Sequence, residues 1–240
     1  MSPLDSHNCS EAASTLTAQP LNLICMCGRY RRRSDKQRIA EAFGLGMGLE
    51  DLYLEPDDDI APGSIQPVVF ATDAAEPAIK FMRWGFKIPN RLVFNARSED
   101  ITTKNFWKAS FSKRRCIVPA DSFYEWTKTT GRNKQKYEFT VPGREPFGMA
   151  GVWADWKNPK TEEREPAFAI LTTEANGVMR TIHDRQPAIL QPRDYREWLS
   201  GSERPLVHLL HLLSDRELKT KLIAARNGPA VEHASLFDSP

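Results

Sequence analysis

Glu125 stands in the run SFYEWTK, Asn95 and Arg97 in LVFNARSED, and His183, Asp184 and Arg185 in TIHDRQPAIL. Side chains alternate faces along an extended strand, which puts Phe123 and Glu125 on one side and Tyr124 with Trp126 on the other. A carboxyl group among large apolar neighbours is disfavoured as the anion, and a carboxyl poised in this way serves general acid–base chemistry. The competing reading is a strand glutamate paired with Lys128, or with Lys136 across a hairpin. Asn95 follows a short apolar run, a place where asparagine most often turns or caps the chain. Arg97, two positions on, can present a planar fork to a phosphate. His183 is one of five histidines, and a histidine flanked by Asp184 and Arg185 on a loop is better placed for proton transfer than one in a core.

A thiol is the other candidate. Cys27 lies in CMCGRY at the point where the composition changes. Cys25 and Cys27 are too sparse for a metal pair, since Cys116 and His183 would have to complete the site from afar, so no metal is expected. Four cysteines at irregular spacing do not form a disulfide framework either, and a reducing cytoplasm is the default. No glycine-rich phosphate cradle occurs, which leaves nucleotide hydrolysis unsupported. The net charge is only +2, but basic residues gather at Arg29 to Arg33, at Lys113 to Arg115 and, loosely, from Lys128 to Lys136. The plain reading of each run is a solvated face.

These groups need elements to hold them. Residues 1–24 contain no Lys or Arg and are rich in Ser, Thr, Ala and Asn, a composition that cannot bury enough apolar surface to order itself. The stretch lacks the charged start and apolar length of a secretory signal, and no window in the chain is long and apolar enough to span a bilayer. We read 1–26 as a disordered leader and 27–240 as one domain. Ser34 with Gln37 forms a capping box ahead of Ile39, Ala40 and Phe43, and Gly44 supplies a stop, predicting a helix over 34–43. Short β-branched and aromatic runs punctuated by Pro and Gly predict strands at 66–71, 77–86, 115–120, 122–128, 135–141, 147–156, 166–173 and 187–190. Two further helices are expected at 192–200 and 215–224, the second capped by Ser214. Many adjacent strands with few helices between them argue for a single α+β domain, with a largely antiparallel or barrel-like sheet and peripheral helices.

Taken together and in order, Cys27-Gly28-Arg29-Tyr30, Trp84 to Phe86, Asn95 to Glu99, Arg115 to Trp126 and Ile182 to Leu190 resemble the SRAP family (SOS response-associated peptidase). The resemblance covers roughly two thirds of the chain. It implies covalent capture of abasic sites in single-stranded DNA by an N-terminal cysteine, here Cys27 behind Met26. In that chemistry the free α-amine attacks the sugar aldehyde and the thiol closes a five-membered thiazolidine. By the same resemblance Glu125 promotes sugar-ring opening, His183 shares proton transfer, and Asn95 holds the amine or sugar in line. Arg29, Arg97 and Arg185 would contact phosphates, while Trp84 or Trp126 would pack against a base or shape the pocket. The implied partner is single-stranded DNA carrying an abasic site, with no cofactor, metal or membrane. The implied form is a monomer in the cytoplasm, associated with the nucleoid.

Two departures stand against the family pattern. Residues 1–26 leave Cys27 peptide-bonded, so either translation starts at Met26, the preferred explanation, or the leader is cut away, which the family's proposed autoproteolysis would allow. No equivalent of the family's closing Pro-Val-Ser strand is visible near the C-terminus, so the sheet is expected to be shorter or altered there. Two other functions use the same residues: a cysteine peptidase built on Cys27, His183 and Asn95, or a noncatalytic single-strand binder.

Overall fold

A computed structural model describes residues 28–46, 49, 52–128, 134–159, 161–200 and 204–225; the leader and Cys27 lie outside the described residues. The chain runs β1 (Arg29–Arg32), α1 (Lys36–Phe43), β2 (Asp57–Ile60), β3 (Ile65–Ala71), β4 (Pro77–Trp84), β5 (Phe86–Ile88), β6 (Arg91–Val93) and β7 (Asn95–Arg97). It continues through α2 (Asn105–Lys113), β8 (Arg115–Ala120), β9 (Ser122–Trp126), β10 (Gln135–Thr140), β11 (Phe147–Lys157) and β12 (Arg164–Glu174). It closes with α3 (Gly177–Arg180), β13 (Arg185–Pro187), α4 (Tyr195–Leu199) and β14 (Lys219–Ala225).

The sequence expectation of one α+β domain with barrel-like sheet is met. β11, β8, β3, β4 and β12 pair in that order, and β12 pairs back onto β11, closing a five-stranded ring. Every pairing in the ring is antiparallel except β12 with β4. β7 prolongs the β4 side of β12, and β13 pairs with the same C-terminal end of β12 from its opposite side. A second sheet runs β14-β10-β9-β1-β2, with β1 between β9 and β2.

Alternation along the ring strands explains why they read as unbroken apolar runs. Val68, Cys116, Val118, Phe168 and Ile170 point to a core shared with Tyr30, Phe123 and Phe139 of the second sheet. Val69, Ile117, Ala167, Ala169 and Leu171 point the other way, against Ile39, Phe43, Trp107, Phe111 and Trp198 of the helices. Both faces are covered, so no polar alternation marks the strands. Among the described residues no helix is long and apolar enough to cross a membrane.

Four local expectations are corrected. The first helix begins at Lys36, capped by Asp35, whose side chain accepts the Arg38 N–H. Ser34 instead donates its N–H and hydroxyl to buried Asp121, at 2.7 and 2.5 Å. The predicted strand 77–86 breaks at Gly85, where φ is 116°. In the predicted strand 187–190 only the start is strand, with Ile189 making a single bridge to Met149.

The fourth correction is the largest. The predicted helix 215–224 is a 3-10 turn at Asp215–Glu217 followed by β14, which pairs with β10 from Lys219 opposite Thr140 to Ala225 opposite Gln135. Ser214 does cap the turn, with Glu217, but the backbone then satisfies the open edge of β10 rather than itself. The sheet expected to be short near the C-terminus is therefore completed by this strand.

Two of the basic runs are solvated only in part, Arg33 and Lys113 being exposed as expected. Arg115 is buried and donates to the carbonyls of Phe111, Ser112, Trp198 and Ser200. On β1 and just beyond, Arg29, Arg31 and Arg33 pair with Asp59, Glu138 and Asp58.

Candidate active site

Glu125 sits on β9, 3% exposed, opposite Tyr137 of β10. The lysines expected as its alternative partners are engaged elsewhere. Lys128 forms an ion pair with Asp184, and Lys136 lies 3.6 Å from Asp59 with its ammonium over the rings of Tyr124 and Trp126. On the other side of β9 runs β1, with Arg29 opposite Tyr124, Tyr30 opposite Phe123 and Arg31 opposite Ser122. Gly28, the residue bonded to Cys27, precedes this paired segment.

Asn95 opens β7, opposite Ile170 of β12, and is buried. Its position is set by the residue before it: the Phe94 carbonyl accepts the Ile170 N–H at 3.1 Å and the Trp84 indole N–H at 2.9 Å. Trp84 is fully buried, edge-on to Tyr30 at 5.2 Å and stacked on Phe168 at 6.4 Å. Its indole is committed to the core and offers no face to solvent. Trp126 is only partly covered, and Lys136 lies above its ring.

His183 lies on the loop between α3 and β13, 7% exposed. Its N–H donates to the Met179 carbonyl, which anchors the loop to α3, itself capped by the Asn176 side chain. The Arg185 N–H donates to His183 Nδ1 at 3.1 Å, so in the neutral ring the proton resides on Nε2. Asp184, between them, is exposed, and its pair with Lys128 ties this loop to the end of β9. That contact holds the Asp184 carboxyl below the usual carboxylate range.

Glu125, Asn95 and His183 are each buried, on segments whose adjacent residues enter one apolar cluster. Phe123, Phe94 and Ile182, which neighbour Glu125, Asn95 and His183 in the chain, all pack in the same apolar cluster. The arginines part company. Arg97 is exposed at the end of β7, level with Thr172. Arg29 is half-buried beside Asp59. Arg185 is only 12% exposed at its side chain, its guanidinium spanning both Glu99 oxygens at 2.8 Å and reaching the Thr172 carbonyl at 2.6 Å. The role of Glu99 was not legible from sequence, although it closes the NARSE run; the only signal was a carboxylate two residues after Arg97. Tyr30 and Asp59 likewise gave no sign of their place beside the site.

The sequence model of the family described as SOS response associated peptidase (SRAP) matches residues 26–230. The chain belongs to the SRAP family. Among its relatives, the abasic site processing protein YoqW of Bacillus subtilis is 30% identical over 225 residues, covering 90% of this chain and 95% of that protein. The abasic site processing protein HMCES of Xenopus tropicalis is 28% identical over 261 residues, covering 91% of this chain and 76% of the other. A crystal structure of a protein from Bacteroides thetaiotaomicron has a similar fold, with a TM-score of 0.71 and 24% identity, covering 82% of this chain and 92% of that one.

Proposed function

We propose that this SRAP protein processes abasic sites in single-stranded DNA by capturing the opened sugar on Cys27 once that residue is the first of the chain. The observation that carries the reading is the burial of Asn95, Glu125 and His183 around the core that Tyr30 of β1 enters. Glu125 also lies next to Tyr124, the partner of Arg29, two residues after Cys27. The family membership and the names of the relatives support it.

The covalent steps balance without an oxidant or cofactor. The Cys27 α-amine adds to the C1 aldehyde of the ring-opened deoxyribose, and the carbinolamine loses water to give an imine. The thiol then adds across the C=N bond, its proton passing to nitrogen, and a thiazolidine results. Both nucleophiles are on one residue, so ring closure gains from a high effective concentration. An α-amine with an ordinary pKa near ~8 is partly neutral at cellular pH, which a lysine near ~10.4 is not. Glu125 in this scheme gives and takes the proton of the sugar ring oxygen. His183, with Nε2 carrying the ring proton, serves the carbinolamine. Asn95 holds the amine or the sugar in line, and exposed Arg97 with Arg29 takes the flanking phosphates, contacts that are independent of sequence and weaken with salt. The proposal further holds that the active chain begins at Cys27 and not at Met1, the residues ahead being absent by translation start or by cleavage.

Chain beginning at Cys27 is expected to give, with an abasic oligonucleotide, an adduct that survives heating without a reductant. Its mass should equal the two reactants less one water. Cys27→Ala should give none. Equal adduct from the variant, or from chain retaining Met26, would overturn the reading.

A further inference from the structure

The two residues after His183, Asp184 and Arg185, are gripped by carboxylate–cation contacts from distant segments, and the two grips differ in strength. Lys128 and Asp184 are 55% and 69% exposed at their side chains, so water and salt screen that pair. Arg185 is a different case, with only 12% of its side chain exposed, and it meets Glu99 through two parallel hydrogen bonds of 2.8 Å. A bidentate guanidinium–carboxylate contact fixes orientation as well as distance. The same guanidinium is tied to the Thr172 carbonyl, so the side chain spans from the 3-10 turn after β7 to the body of β12. The backbone N–H of this anchored residue is the donor to His183 Nδ1.

We infer that Glu99 is a positioning residue: by holding the Arg185 guanidinium it keeps the Arg185 N–H on His183 Nδ1, and so fixes the imidazole tautomer with its proton on Nε2. Without that carboxylate, the Arg185 guanidinium keeps only its contacts to Thr172, β13 is held at its first residue by the pairing with Glu174 of β12 alone, and the loosened Arg185 N–H lets the imidazole carry its proton on either nitrogen. The Arg185 contact is also the main cause that holds the Glu99 carboxyl below its usual range, so the pair stays charged through neutral pH. Other charged groups face this loop: Asp184 with Lys128, Arg180 on α3, and Glu174, opposite Arg185 on β12. Of these only Glu99 reaches the Arg185 side chain through both oxygens. For catalysis the inference rests on the abasic-site reading, whereas its structural half does not.

The test uses chain beginning at Cys27, labelled with 15N at histidine, with the His183 signals assigned by their loss in His183→Gln. In the unaltered protein the neutral ring should show a protonated Nε2 and a bare Nδ1. In Glu99→Ala and Glu99→Gln the two nitrogens should move toward averaged shifts, and Glu99→Asp should restore part of the difference. At saturating abasic oligonucleotide the single-turnover rate of adduct formation should fall roughly 10- to 100-fold in both neutral variants. Their dissociation constants for the same oligonucleotide, measured with Cys27→Ala as background, should stay within about twofold. A tautomer unmoved by either substitution would overturn the inference, as would an unchanged saturated rate or a loss explained by weaker binding. If the unaltered protein forms no adduct, the abasic-site reading fails while the tautomer measurement still decides the role of Glu99.

Discussion

Arg115 illustrates how little a residue's type says about its work. It is 4% exposed and its guanidinium serves four carbonyls, at the end of α2 and at the end of α4, groups left without partners where a helix stops. Burial lowers its pKa, and the group stays charged because a guanidinium does not lose its proton in proteins. Arg115→Ala strands those acceptors and opens a void, and should cost about 3 to 5 kcal/mol in urea denaturation. A cost under about 1 kcal/mol would show that the carbonyls find other donors. In the sequence Arg115 was simply the last of three basic residues, because its acceptors near Trp198 and Ser200 lie more than eighty positions away. Glu125, Asn95 and His183 were legible for the opposite reason: each sits in a short run whose neighbours are large, apolar or charged in a local pattern.

Elements were readable where one period dominated. α1 announced itself through Ile39 and Phe43 and the stop at Gly44, and the ring strands through runs such as RCIVPA, whose six residues are all buried. β14 was not, since KTKLIAA has a helix-compatible composition and becomes a strand only because β10 leaves an edge to be paired. β7, three residues long, was hidden too, being defined by a parallel register on β12 and not by its own pattern. The break between β4 and β5 has a sharper cause. Gly85 takes φ of 116°, and a Cβ there would lie 2.7 Å from the Leu92 side chain. Gly85→Ala combines backbone strain with a clash against a movable side chain and should destabilise by about 1 to 3 kcal/mol. Thermal melts would check this, and Leu92→Ala in the same chain should recover only the part due to the clash.

Loops from distant parts of the chain are tied together at Glu217. Glu217, in the turn that leads into β14, accepts from Ser214, from Gln191 at 3.1 Å and from Arg144 at 2.9 Å. The Ser214 backbone N–H, first among these, holds the Glu217 carboxyl below its ordinary value of 4.5. A depressed carboxylate stabilises the fold fully above the unfolded-state value and loses that contribution as pH falls through the folded-state one. The melting temperature of Glu217→Gln should therefore lie below that of the unaltered chain at pH 7, and the gap should close as the pH drops below 4.5; a gap independent of pH would refute the assignment. The α+β class and the ring of strands were foreseeable from the density of short strands. The return of β12 onto β11 was not, because closure depends on register between strands and leaves no local mark. One consequence follows from β1 lying between β9 and β2. The ribosome makes Tyr30 some 93 residues before Phe123, its partner. At about 5 to 20 residues per second that gap lasts roughly 5 to 20 s. Throughout it β1 lacks one flank of its sheet, which can be completed only after β3, β4 and β8 of the ring have been made.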